Sequence, residues 1–348
     1  MHISQKMRKS YLDYLRAFAI IGVVFTHVTV RYYNNPLLYD TATWWMANVL
    51  NAASRLAVPL FVMISGAVLL GKSQSINEFY RKRSIRILPP WIFWSIIFLI
   101  FNYWLTRDLY TLLWFFKGGL FIQGNTTVHL WYLSMFACLM LFAPFINKLI
   151  LRETFNTSDI KILTWLILVF VIMAECAYIY QIAKGKPIQW FRIFVWYIPY
   201  FIGGYLIDRY IGLIKISSKT IITFGLASLV VGIFINYIIA ARLEILKDSM
   251  VLRNEGLLVY ILAFSTFTLA RRHMEGIKEN MFISSMAVNS FGIYLLHPLI
   301  IYFFHTEVIQ RYTVNGLIAI PLTVAVTLAL SWVIVSLMRR NQWLRIVT

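Results

Sequence analysis

Arg16 and His27 stand eleven residues apart in the first long apolar stretch, which opens Leu12-Asp13-Tyr14-Leu15-Arg16 and later reads Thr26-His27-Val28. On a helix that offset returns to within about 20° of the same face and climbs about 16 Å. One face therefore presents a guanidinium at one depth and an imidazole at another. Ionisable groups inside an apolar span are costly, which makes each a functional candidate by default. Imidazole titrates near working pH and suits proton transfer. Arg16 has two readings: a functional cation, or a side chain snorkelling to the headgroups. His27 has a bland alternative as a helix-packing residue.

Further groups extend the list. Arg81-Lys82-Arg83-Ser84-Ile85-Arg86 forms a basic cluster after the second apolar stretch. Arg83 and Arg86 are i and i+3, so a helical continuation puts both guanidinium groups on one side, where they suit phosphate oxygens. Basic cytoplasmic loops also arise from membrane topology alone. His129-Leu130-Trp131-Tyr132-Leu133 opens the fourth stretch; Trp131 and Tyr132 are expected in an interfacial belt, and His129 is a second acid–base candidate. Arg55 follows Ser54 within the second stretch, where it requires an anion, a carbonyl or a water-filled cavity. Tyr294 and His297 are i and i+3 neighbours in the ninth, ahead of Pro298. Glu175, the only carboxylate well inside a stretch, has two readings: an ion pair with Arg55 or Arg192, which is the expectation, or a proton carrier. Asp13 and Asp208 fall at span ends, where headgroup solvation is the expectation.

The elements that must position these residues follow from composition. Of 348 residues, 60% are apolar and 13% charged, a membrane-protein balance. At roughly 20 residues per crossing, apolar runs near 12–30, 44–70, 88–106, 130–151, 160–180, 190–208, 220–241, 251–270, 286–306 and 317–338 predict an all-α polytopic fold of about ten transmembrane helices. The second run is long enough to tilt or to include a re-entrant part. Placing both termini in the cytoplasm gives inside segments a roughly two-to-one excess of Lys and Arg over outside ones, which supports that topology. The net charge of +18 then reflects basic loops beside anionic lipid, with no nucleic-acid partner expected. Cys138 and Cys176 sit in apolar runs and give neither a disulfide framework nor a metal site. Residues 1–348 read as one membrane domain without a separate soluble one. No Walker loop, GxSxG elbow, HExxH or dinucleotide fingerprint is present.

The chain resembles the integral-membrane acyltransferases of the type-3 class. The resemblance rests on Arg16 to His27 with ten residues between, on Arg83-x-x-Arg86, and on the Tyr294 to Pro298 segment; the run at 129–133 is similar too. It implies transfer of an acyl group, usually acetyl, from cytoplasmic acyl-CoA to a hydroxyl of a cell-surface or lipid-linked glycan, in a bacterial cytoplasmic membrane. It implies Arg83, Arg86, Arg81 and Lys82 as the binding site for acetyl-CoA, the acyl donor, without a metal. His27 would act as general base, with Arg16 orienting the donor or stabilising charge on the thioester oxygen. Arg55, His129, Trp131, Tyr294 and His297 are the expected contacts to the acceptor. The hydroxyl attacks acyl-CoA directly, or a protein group is acylated first. A different class, a secondary transporter of a glycan or anionic metabolite lined by Arg16, Arg55, Glu175 and His27, predicts paired interrupted helices in the two halves, and no such internal repeat is visible.

Overall fold

The computed structural model describes residues 9–108, 129–154, 193–243, 253–254, 256–310 and 315–348, with scattered positions between 157 and 173. Among the described residues every regular element is helical. The principal helices are α1 (Ser10–Tyr33), α2 (Ala42–Ser54), α3 (Ala57–Leu69), α4 (Ile76–Thr106) and α5 (Trp131–Leu151), then α6 (Phe194–Tyr210), α7 (Ser218–Leu243), α8 (Leu257–His273), α9 (Met281–Phe304) and α10 (Gly316–Met338). Among the described residues seven stretches are long and apolar enough to cross a bilayer, with α2 and α3 together forming one. The expected sixth and eighth spans correspond to the 17-residue helices α6 and α8. The expected fifth, at 160–180, lies largely outside the described residues, as do Glu175, Arg192 and Cys176.

Local chemistry sets the helix starts. Thr41, Ser75, Asn280 and Asn315 cap α2, α4, α9 and α10, each side-chain oxygen accepting from a first-turn backbone N–H. The long second run is not one straight helix, because α2 ends at Ser54 and α3 begins at Ala57. Pro59 explains the interruption: it has no N–H to offer the Arg55 carbonyl four residues back, and its ring crowds that oxygen. The basic segment after Ser75 is helical, so Arg81 through Arg86 occupy the early turns of α4.

The described residues divide into two compact units, one drawn from Met1–Val68, Tyr200–Asn341 and Thr348, the other from Leu69–Pro199 and Gln342–Val347. In the first, α1 packs against α2, α9 and α10, and α2 packs against α7. Trp44 is wholly buried there. Its Nε1 donates to the Tyr33 carbonyl at 3.1 Å, satisfying the polar end of a large apolar ring. In the second unit, Asn147 of α5 accepts from Gly71 N at 2.7 Å and donates to the Lys72 carbonyl at 2.8 Å. Tyr80 of α4 donates to the Leu141 carbonyl at 2.6 Å, and Trp94 Nε1 donates to the Val347 carbonyl at 2.9 Å.

Two glycines permit α3 and α6 to touch backbone to backbone. A Cβ at Gly66 would overlap the Phe201 carbonyl, and one at Gly204 would overlap the Met63 carbonyl. Small residues at such crossings drive helix association in membranes, where packing replaces the hydrophobic effect. Gly204→Ala is expected to lower stability by about 1–3 kcal/mol, the usual cost of overpacking, read as a lowered thermal unfolding midpoint in detergent.

Asp208 departs from the headgroup-solvated carboxylate expected of a span end. It is buried and accepts from Lys9 Nζ at 2.5 and 2.7 Å and from Tyr11 Oη at 2.5 Å. Arg271 Nε lies 3.4 Å from its carboxylate and is also near its backbone carbonyl. The Arg271 guanidinium stands over the Tyr11 ring at 5.4 Å and pairs with Glu275. The network ties the start of α1 to α6 and α8, and a buried charge is sustained by such multiple partners.

Candidate active site

In the first unit, α1 carries Asp13, Arg16 and His27. Asp13, also expected to be solvated at a span end, is instead 2% exposed. Arg16 Nη1 donates to Asp13 Oδ1 at 2.8 Å. The spacing i, i+3 puts the two on one face, so part of the Arg16 charge is compensated within its own helix. The guanidinium bears further donors beyond this bond.

About 16 Å farther along the same helix, half-buried His27 meets His297 of α9. Their ring centroids are 4.9 Å apart with planes at 49°. His297 is 0% exposed, and its Nδ1 lies 2.7 Å from the Tyr294 carbonyl and 3.3 Å from that of Ile293. A carbonyl oxygen only accepts, so Nδ1 carries the hydrogen, and in the neutral ring the lone pair resides on Nε2. Pro298 supplies the reason: without an N–H it leaves the Tyr294 carbonyl, four residues back, lacking its helical donor. The His297 side chain takes that place. The Tyr294 ring stands 6.0 Å from the imidazole.

Polar residues of α2 join this region to its neighbours. Thr26 and Ser54 share a hydroxyl hydrogen bond of 2.8 Å. Asn51 Nδ2 donates to Thr29 Oγ1 at 3.0 Å and its Oδ1 accepts from Arg55 Nε at 2.9 Å. Arg55 thus sits at the α2–α3 break with a side-chain amide as one partner. On α10, which packs against α1 and α9, Thr323, Thr327 and Ser331 recur every fourth residue on one face and are wholly buried. Among the described residues their hydroxyls have no hydrogen-bond partner.

The second unit carries the remaining candidates. On α4, Arg81, Lys82 and Arg86 are exposed and Arg83 is half-buried. Lys82 is engaged with Glu78 at 2.5 Å, one turn back. The Arg83 guanidinium lies over the Phe79 ring at 5.7 Å, with its Nε buried and lacking a partner among the described residues. Pro89 and Pro90 follow within the same helix, so the Ile85 and Arg86 carbonyls lose their helical donors. His129 is buried, edge-on to Phe98 at 4.8 Å. Trp131 opens α5, its ring 6.1 Å from Tyr197.

The structure thus brings His27 to His297, beside which Tyr294 stands, and keeps Arg16 with Asp13. Arg83 and Arg86 share the opening turns of α4, while His129 and Trp131 are neighbours at the start of α5. Sequence reasoning missed the apposition of the two histidines and the hydroxyl row on α10. The i, i+3 spacing of Asp13 and Arg16 was a signal available for their pairing. Among the described residues no group of three or more His, Cys, Asp or Glu side chains is placed to hold a metal.

A family model described as an acyltransferase domain matches residues 9–336. No curated protein and no solved structure matches the chain.

Proposed function

The chain belongs to the acyltransferase domain family, and from that premise we propose that it is an O-acetyltransferase moving an acetyl group from cytoplasmic acetyl-CoA to a hydroxyl of a cell-surface or lipid-linked glycan. Its apolar helices and its family make it a multi-pass membrane protein. The proposal extends to one membrane domain over 1–348 with about ten spans and both termini on the cytoplasmic face of a bacterial inner membrane. The stretch from Asn48 to Gly66 resembles the enterobacterial common antigen O-acetyltransferase, which supports acetyl as the group and a surface glycan as acceptor.

The observation that carries the reading is the half-buried imidazole of His27 in an apolar helix, backed by a second imidazole at 4.9 Å. In the proposed reaction the glycan hydroxyl oxygen attacks the thioester carbonyl carbon while His27 takes the hydroxyl proton. The carbon–sulfur bond then breaks, and the coenzyme A thiolate recovers that proton from the His27 imidazolium. Ester and free thiol are the products, and the base returns to its starting form. Arg16 orients the donor or stabilises the oxyanion.

Arg83 and Arg86 hold the donor's phosphates, with Arg81 and Lys82 adding positive charge. Lys82 contributes less, because Glu78 already neutralises it. Arg55, His129, Trp131 and Tyr294 are proposed contacts to the acceptor, their aromatic faces and hydrogen-bond donors suiting a sugar. His297, expected among them from the sequence, is instead fully buried beside His27. The break at Arg55 is a feature a transporter would also use, whereas the family match favours group transfer.

The donor assignment has its own test. Arg83→Ala with Arg86→Ala is expected to raise the donor KM by about tenfold or more, the worth of one charge-assisted bond, with a smaller fall in kcat. Equal losses in kcat and kcat/KM would instead assign the pair to the transition state.

A further inference from the structure

We propose that His297 is a positioning residue for His27: its Nε2 accepts a hydrogen bond from one His27 ring nitrogen, so that the other nitrogen is held as the base. The inference rests on the reading of His27 as general base and supplies the feature that reading lacks, a reason for one His27 tautomer. It gives His297 a role other than contact with the acceptor.

Three observations support it. His297 is 0% exposed, whereas His27 beside it is half-buried; a substrate therefore reaches the α1 imidazole and not the one behind it. The rings lie 4.9 Å apart between centroids with planes at 49°, a separation that a shared hydrogen spans once a nitrogen of each ring is turned toward the other. Most informative is the Nδ1 contact to the Tyr294 carbonyl at 2.7 Å. Pro298 removes the backbone donor for that carbonyl, and the His297 side chain replaces it. The order Tyr294-Leu295-Leu296-His297-Pro298 therefore fixes a hydrogen on Nδ1 and leaves Nε2 as an acceptor.

The arrangement repeats the logic of a base oriented by a second group that is itself held in place. As the glycan hydroxyl gives up its proton, His27 becomes an imidazolium, and the Nε2 lone pair of His297 stabilises its N–H. His297 keeps its Nδ1 hydrogen throughout, and the transferred proton leaves His27 for the coenzyme A thiolate. The atoms balance without a further reactant.

The test compares variants of the full-length protein in nanodiscs, supplied with radiolabelled acetyl-CoA and a mixed extract of cell-surface glycans. His297→Leu is expected to lower kcat by about 100-fold, at the lower end of acid–base contributions, with donor and acceptor KM within about twofold. His297→Gln, whose amide both donates and accepts, is expected to recover about tenfold of that loss. Pro298→Ala guards against a mere folding defect. It restores the backbone donor to the Tyr294 carbonyl, so it is expected to fold at least as stably while lowering kcat several-fold. A normal kcat in folded His297→Leu, or in Pro298→Ala, would overturn the inference. So would a loss confined to acceptor KM, or a Gln variant no better than Leu. If His27→Ala abolishes transfer while His297→Leu is fully active, the base assignment stands and only this inference fails. If His27→Ala is itself active, the assignment beneath both is wrong.

Discussion

His27→Ala is expected to reduce acetyl transfer by about 10²–10⁴-fold, the range associated with removing a positioned general base, while the thermal unfolding midpoint changes little. The modest effect on folding follows from placement. His27 is half-buried, and the core cluster to which its helix contributes Val24 and Val28, with Trp44 from α2, does not include it. The large effect on rate follows from chemistry. A sugar hydroxyl holds its proton tightly at neutral pH, and attack on a thioester requires a base at the oxygen as the bond forms. Donor KM is expected to stay near that of the wild type, because the groups proposed to hold coenzyme A lie on α4. A variant with near-normal kcat would remove His27 from the mechanism and leave His129 as the remaining imidazole proposed for acid–base work.

Asp208→Ala is expected to be the most damaging single change for folding, at about 3 kcal/mol or more, because it leaves cationic and hydroxyl partners around a buried site without their acceptor. Lys9 is 43% exposed at its side chain, and solvent screens much of its share. Tyr11 and Arg271 carry the penalty: the first is wholly buried, and the second keeps only Glu275 as a carboxylate partner among the contacts described. Asp208→Asn, which preserves an acceptor for the Tyr11 hydroxyl, is expected to lose less. Thermal unfolding in detergent ranks the three proteins, with wild type above Asn and Asn above Ala. An Ala variant as stable as wild type would mean that the network adds nothing beyond its own desolvation cost.

Much of the architecture was legible because apolar length alone decides where a helix can cross a bilayer. The second stretch shows where that signal ends. Hydropathy reads straight through 44–70, and only Pro59 marks the break that leaves Arg55 at a helix terminus. The basic cluster was legible as two guanidinium groups on one side of a helix, since i, i+3 spacing brings Arg83 and Arg86 together once the turn forms. Asp13 and Asp208 were misjudged because position along a span is a poor guide to burial. Tyr11 and Asp208 are 197 residues apart, and nothing local to either announces the other. The candidate site divides in the same way. The spacing of Tyr294, His297 and Pro298 is local and readable, and the Pro298 argument follows from it. The meeting of His297 with His27 is a matter of α1 packing on α9, which no local pattern encodes.

Transfer of an acyl group from coenzyme A by way of His27 is the proposed activity of this chain. The most direct measurement incubates purified wild-type and His27→Ala proteins, reconstituted in nanodiscs, with radiolabelled acetyl-CoA and a mixed extract of surface glycans, and follows the label into glycan and into protein. Direct attack with His27 as base predicts label in glycan with wild type, little or none with His27→Ala, and none retained on either protein. Label held on the wild-type protein would contradict direct attack by the glycan. Equal labelling of glycan by both proteins would contradict the role of His27, and the absence of both labelling and acetyl-CoA binding would contradict the acetyl-CoA reaction itself.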